Sequence, residues 1–256
     1  MADTTAPNPK ATLHWLDKSR SQRVVWLLQE CKGLDWDVKI YKRQSNMLAP
    51  PTLKEIHPLG KSPVVSIEAA ALSKPLVLAE SGALMEYLCG YFAQHLIPKR
   101  YQEGKEGQVG GESESWLRYR FYMHYAEGSL MTLMLLALFM DQIKNAPVYF
   151  FLKPVTRGIA ANVENLYLND NFKTHLGFLE SQLATSPDGG KYLCGEDLTA
   201  ADILMSYPLI ARKSKIDAAQ YPKLTAYREM LEQHEGYVAS TKKIEEISGE
   251  PFKTNL

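Results

Sequence analysis

The chain is 256 residues long, 45% apolar and 23% charged, with 29 basic side chains against 29 acidic ones. That length suits one large domain or two modest ones, and a net charge of zero offers no global field to nucleic acid or anionic lipid. Cys31, Cys89 and Cys194 are too widely spaced for a disulfide framework or a Cys-x-x-Cys site, which fits a reducing, cytoplasmic setting.

In chain order, residues 1–11 are rich in Ala, Thr and Pro, lack the apolar core of a signal peptide, and read as a flexible tail. Residues 12–16 form a short apolar run suited to a strand. Val24, Val25, Leu27, Leu28 and Cys31 then recur at helical spacing over residues 19–31, with Gly33 as a stop. Trp36, Val38 and Ile40 alternate with Asp35, Asp37 and Lys39 as in a strand. Pro50-Pro51 and Pro58 bracket a helical turn over residues 52–56. Residues 64–67 and 76–79 read as a β-hairpin. Residues 81–92 read as a helix with Leu84, Leu88 and Tyr91 on one face. The order βαβ, α-turn, ββα is that of a thioredoxin-like domain over residues 1–98.

Two segments of this half point to a ligand. In His57-Pro58-Leu59-Gly60-Lys61-Ser62-Pro63-Val64-Val65, Pro63 opens a strand, where a missing N–H is tolerated. An X-Pro bond in such a turn also accommodates a cis peptide, and the bend frees the Ser62 backbone to pair with a ligand's backbone. Glu80-Ser81 stands where an apolar run meets a helix N-terminus, a place that holds carboxylates. Together they describe a site for a short acidic peptide.

Residues 99–111 are polar, glycine-rich and aperiodic, and read as a linker. Beyond it, residues 112–256 are helical in pattern throughout. Residues 113–145 make one long helix carrying Tyr119, Tyr122 and Tyr125, and its greasiest part, 130–140, is too short to span a bilayer. Residues 147–168 and 172–184 are amphipathic, with Pro154 a kink or an early-turn residue. Leu198-Thr199-Ala200-Ala201-Asp202-Ile203 is a capping box with a hydrophobic staple, for which Asp202→Ala is expected to cost about 1 kcal/mol or more. The six histidines form no pair with metal-site spacing, so no metal is assigned.

Four features in order carry a family resemblance over nearly the whole chain. These are Leu13-His14-Trp15-Leu16, Ser19-Arg20-Ser21-Gln22-Arg23-Val24, Pro58-x-Gly60-x-x-Pro63 and Glu80-Ser81. The chain resembles a cytosolic glutathione transferase of the serine type, most like the fungal and bacterial transferases with Ser-Arg-Ser-Gln-Arg and His-Pro-Leu-Gly motifs. The resemblance implies a thioredoxin-like α/β domain followed by an all-α domain, and a homodimer. It implies conjugation of reduced glutathione, as co-substrate and without a resident cofactor, to electrophilic small molecules.

Ser19 is implied as the thiolate-stabilising residue, with Ser21 its rival; by local pattern Ser19 also reads as a plain helix cap. Lys61, Ser62, Pro63, Glu80 and Ser81 are implied to hold glutathione, Ser62 through its backbone, so that its side chain is expected to tolerate change. Glu80 would face the α-ammonium and Ser81 the carboxylate. Arg23 reads as a structural ion-pair partner. Tyr122 and Tyr125 are implied contacts of the electrophile, against a reading as core and dimer packing. A non-catalytic binding module of the same fold, and a side activity as a glutathione-dependent peroxidase, are the alternatives.

Overall fold

The computed structural model describes residues 7–254. Four strands order as β2-β1-β3-β4. β1 (Lys10–Leu16) runs parallel to β2 (Asp35–Tyr41) and antiparallel to β3 (Val64–Glu68), which pairs antiparallel with β4 (Leu76–Ala79). A crossover helix is what joins parallel neighbours, and α1 (Gln22–Glu30) supplies it. α2 (Thr52–Ile56) covers one face through Leu53, which packs on Leu16 and Tyr41. α1 and α3 (Ser81–Phe92) pack together and continue into the helical half. The strand and helix sequence expected over the first half is present. β1 begins earlier than expected: Lys10 and Ala11 belong to it, and Ala11 is fully buried, so they are no tail. Pro9 also pairs with the sheet, its C=O accepting from Asp35 N–H (2.9 Å), and residues 1–6 of that expected tail lie outside the described residues. Tyr91 is 69% exposed while Leu84 and Leu88 are buried; the buried side of α3 runs through Met85 and Cys89 instead.

The glycine-rich segment closes on itself. Arg100 C=O accepts from Ser113 N–H (2.7 Å) and Gly111 C=O from Gln102 N–H (2.9 Å), with a bridge between Tyr101 and Glu112. The single helix expected over residues 113–145 divides into α4 (Glu114–Tyr125) and α5 (Met131–Lys144), joined by a π-helical stretch, Ala126–Leu130. A second such stretch, Glu164–Leu168, separates α6 (Lys153–Val163) from α7 (Asn169–Ala184). Pro154 sits in the first turn of α6, where its missing N–H costs nothing. The combined run Glu114–Lys144 is long and apolar enough to cross a membrane, but it packs against α6 and α8. α8 (Ala200–Ala211) is buried along almost its whole length and is the axis of this half. α9 (Pro222–Gln233) and α10 (Glu235–Ser248) follow, α10 lying on α1.

The start of α8 is held by more than a cap. The Asp202 carboxylate accepts from Thr199 N–H (2.9 Å), Thr199 Oγ1 (2.7 Å), Leu193 N–H (3.1 Å) and Tyr227 Oη (2.7 Å). Burial pushes the Asp202 carboxyl above its ordinary range against the pull of those donors.

One ion-pair cluster joins the halves. Arg23, fully buried on α1, donates to the Leu204 C=O of α8 (2.8 Å) and to Ser81 Oγ at the start of α3 (3.3 Å). Its guanidinium also pairs with Glu127 of the π-helical stretch, as does that of Arg20. Arginine keeps its charge inside proteins, so the pair is ionic. Burial pushes Glu127 up, but Arg23 and Arg20 outweigh it and hold the carboxyl below its ordinary range.

Asp202→Ala strands four donors in the core, and urea unfolding is expected to show a loss of about 3 kcal/mol or more, beyond that of a simple cap. Tyr227→Phe, which removes one donor, is expected to cost about 1 kcal/mol. Glu127→Gln leaves Arg23 buried and uncompensated, with an expected loss of about 3 kcal/mol. Because the folded Glu127 pKa is depressed, its contribution is complete above the ordinary value of 4.5 and is lost as pH falls through the folded value. Stability of the parent should therefore fall more steeply than that of Glu127→Gln below that pH.

Candidate active site

The strand register brings the predicted residues to one end of the sheet. His14 faces Val64 and Val64 faces Ala79. Trp15 and Leu16 at the end of β1, Ser62 and Pro63 just before β3, and Glu80 and Ser81 just after β4 lie next to these pairs in the chain. The Ser62–Pro63 peptide is cis. Gly60, at φ +57°, turns the chain into it, and a Cβ there would lie 2.7 Å from Lys54 Cγ. Neither the Ser62 N–H nor its C=O takes part in a turn or side-chain hydrogen bond among the described residues.

Glu80 adopts φ +71°, ψ +123°, an uncommon conformation for a residue with a side chain. Its carboxylate is exposed and does not cap α3, so the first N–H groups of that helix have no side-chain partner. Ser81 is buried and accepts from Arg23.

α1 begins at Gln22, three residues later than the sequence pattern suggests. Residues 17–21 are a turn, so Ser19 does not cap the helix. The cap position is Ser21, which is helical in conformation and makes no side-chain cap bond. Its hydroxyl instead joins a chain: Ser19 Oγ to Ser21 Oγ (2.7 Å), Ser21 Oγ to Ser62 Oγ (2.7 Å), and Ser62 Oγ to the His14 C=O (2.7 Å). Leu16 N–H donates to Ser62 Oγ (3.2 Å) and Ser21 N–H to Ser19 Oγ (3.3 Å). The Ser62 side chain is therefore a three-way junction between β1, α1 and β3, and the expectation that it tolerates change does not hold.

Ser21 is fully buried, whereas Ser19 reaches the surface of two cavities. The larger, about 650 Å³, runs from Leu16, Ser19, Lys61 and Ser62 across to Met131, Leu135 and Leu138 of α5 and Tyr207 of α8. The smaller, about 300 Å³, lies beyond Ser19 between Trp15, Ile40, Tyr207 and the segment Glu250–Thr254 that follows α10. Tyr122 and Tyr125 line neither. Tyr122 is fully buried in the core, and Tyr125 packs there with its hydroxyl 2.7 Å from His175 Nδ1. Burial pushes both phenols up. The imidazole of His14 is occupied by Tyr41 (3.0 Å) and Ser66 (2.9 Å) and is no base for the cleft.

Several residues at the cleft escape sequence reasoning. Lys42-Arg43 reads as a solvated pair, yet Arg43 pins the turn before α1: its Nε donates to Asp17 C=O (3.0 Å), Nη2 to Lys18 C=O (3.2 Å) and Nη1 to Met47 C=O (2.9 Å). The cleft-facing trio of α5 follows a helical spacing, but nothing local distinguishes it from the buried face. Tyr207 lies remote in sequence, and no motif marks it.

Comparison with known proteins agrees with this fold. The family model for the glutathione S-transferase N-terminal domain matches residues 19–90, and that for the C-terminal domain matches residues 139–239. Glutathione S-transferase 1 of Saccharomyces cerevisiae is 31% identical over 237 residues, covering 92% of this chain and 95% of the yeast protein. A crystal structure of a glutathione S-transferase from Actinobacillus pleuropneumoniae shares 28% identity and superposes with a TM-score of 0.62, covering 91% of this chain and 92% of the other. A sphingomonad glutathione S-transferase solved in complex with glutathione, 21% identical, shares the fold with a TM-score of 0.60 over 90% of this chain and 97% of its own. The chain is a transferase of the glutathione S-transferase family.

Proposed function

We propose that the larger cavity binds reduced glutathione and that Ser19 stabilises its thiolate for attack on an electrophilic small molecule. The observation that carries this is the position of Ser19, which stands beside the N-terminus of α1, in the wall between the peptide-sized cleft and the smaller cavity. A thiol with an ordinary pKa of roughly 8.5 is mostly protonated at neutral pH, and the thiolate is the nucleophile. A hydroxyl donating to sulfur, with a helix N-terminus behind it, favours the anion. The thiol proton leaves to solvent, the sulfur lone pair forms the new carbon–sulfur bond, and the electrophile takes the negative charge or expels its leaving group.

The backbone of the cysteinyl unit pairs with the free N–H and C=O of Ser62 beside Pro63. The γ-glutamyl end lies against Glu80, whose carboxylate meets the α-ammonium, and against Ser81 and the N–H groups of α3. Lys61 faces the glycyl end. The electrophile sits on apolar surface: Met131, Leu135, Leu138 and Tyr207 support that assignment, and it replaces Tyr122 and Tyr125. Glutathione is the co-substrate, and no resident cofactor enters the reaction. A homodimer and a cytoplasmic location belong to the same reading, the latter supported by three cysteines that are all free.

Thiolate absorbance followed against pH tests the central step. Ser19→Ala should raise the pKa of bound glutathione by about one unit or more, the worth of a hydrogen bond to an anion. Unchanged ionisation would remove Ser19 from the mechanism. Glu80→Gln and Ser81→Ala should each weaken glutathione binding about tenfold by calorimetry, as for a lost charge-assisted contact, and leave the thiol pKa of the bound molecule near that of the parent.

A further inference from the structure

The direction of every hydrogen bond in the serine chain is set from its far end. The His14 carbonyl carries no proton, so Ser62 Oγ must donate to it. Its one proton spent, Ser62 Oγ accepts from Leu16 N–H and from the Ser21 hydroxyl. The Ser21 proton is thereby spent too, and the 2.7 Å contact between Ser19 and Ser21 has Ser19 as donor. With no ligand bound, the proton of Ser19 therefore points away from the cleft. Its oxygen, which already accepts from Ser21 N–H, turns its remaining lone pair to the ligand side.

This matters because the two ionisation states of a bound thiol ask opposite things of Ser19. A thiol donates S–H to an oxygen lone pair; a thiolate needs a hydrogen bond from the hydroxyl. We propose that Ser21 is a positioning residue that competes with the glutathione sulfur for the Ser19 proton, a proposal that rests on the reading of Ser19 given above. On ionisation the thiol proton leaves to water and Ser19 keeps its own. The Ser19 hydroxyl rotates about Cβ–Oγ, giving up its bond to Ser21 to make one to sulfur. No heavy atom has to move, because Ser21 N–H still holds the Ser19 oxygen.

Removing the competitor should make the thiolate easier to form. The titratable groups that line the two cavities with Ser19, namely Asp17, Lys18, Arg20, Lys42, Arg43, Lys54, Lys61, Tyr207, Glu250 and Lys253, are common to parent and variant, so their field cancels in the comparison. The thiol pKa of glutathione bound to Ser21→Ala should lie below that in the parent by about half to one unit, the worth of one hydroxyl hydrogen bond. A role that merely supports the fold would leave it unchanged or raise it.

Ser19→Ala is titrated alongside. A raised pKa in Ser19→Ala with an unchanged or raised one in Ser21→Ala overturns the competition and leaves the reading of Ser19 standing. No effect in Ser19→Ala overturns that reading, and this inference with it. If Ser21→Ala does not fold, Ser21→Cys fills the same space with a weak acceptor and carries the same expectation, its own thiol being subtracted with the ligand-free spectrum.

Discussion

The buried guanidinium of Arg23 is the contact on which the rest depends. An uncompensated charge in a protein interior is so costly that every partner it has is under constraint. Arg23 has four: the Arg20 carbonyl in the turn before α1, the Leu204 carbonyl on α8, the Ser81 hydroxyl at the head of α3, and the Glu127 carboxylate in the π-helical stretch. One side chain thus indexes α1 against both the second half and the strand end where Glu80 stands. The turn bearing Ser19 immediately precedes α1, so the placement of that turn relative to the head of α3 is set by this buried group.

The π-helical stretch follows from the same demand. It carries Glu127 to the two arginines, and the residue it adds turns the following helix by about 100° relative to an uninterrupted one. The face of α4 that holds Tyr119, Tyr122 and Tyr125 is sealed in the core, whereas α5 presents Met131, Leu135 and Leu138 to the cleft. A charge pair inside the protein and the apolar wall outside it thus come from one local departure from α-helical winding.

The fold was legible wherever periodicity has a single physical meaning. Alternation marked β2, an apolar run bounded by Pro63 and Glu68 marked β3, and the capping box marked the start of α8. The helix start at α1 was not legible, since Ser19 and Ser21 both suit a cap and the choice rests on the Ser21–Ser62 bond across 41 residues. The peptide-binding turn could be read because proline and glycine restrict the backbone directly. Tyr122 and Tyr125 lie in the core, as the packing reading of the stripe has it, while the π-helical stretch after them leaves no mark in the sequence, so the residues that α5 turns to the cleft could not be read in their place. Arg43 and Tyr207 were missed for a plainer reason: their role is defined by which loops meet, and no local pattern encodes that.

The site also separates two kinds of electrostatic control. Arg20 and Arg23 share one carboxylate, so the cluster keeps a net positive charge on the side of α1 where its N-terminal dipole is already positive. That potential acts at long range, depends little on orientation, and lowers the energy of any anion in the cleft. A hydroxyl acts at contact distance and only along its O–H direction. The first can be assembled from residues far apart in sequence without close tolerance; the second requires Ser19, Ser21, Ser62 and the His14 carbonyl to stay in line. The serines are accordingly threaded through β1, the turn before α1 and the strand-opening turn, where backbone pairing holds them in line, whereas of the two cations Arg23 is buried and Arg20 half-exposed.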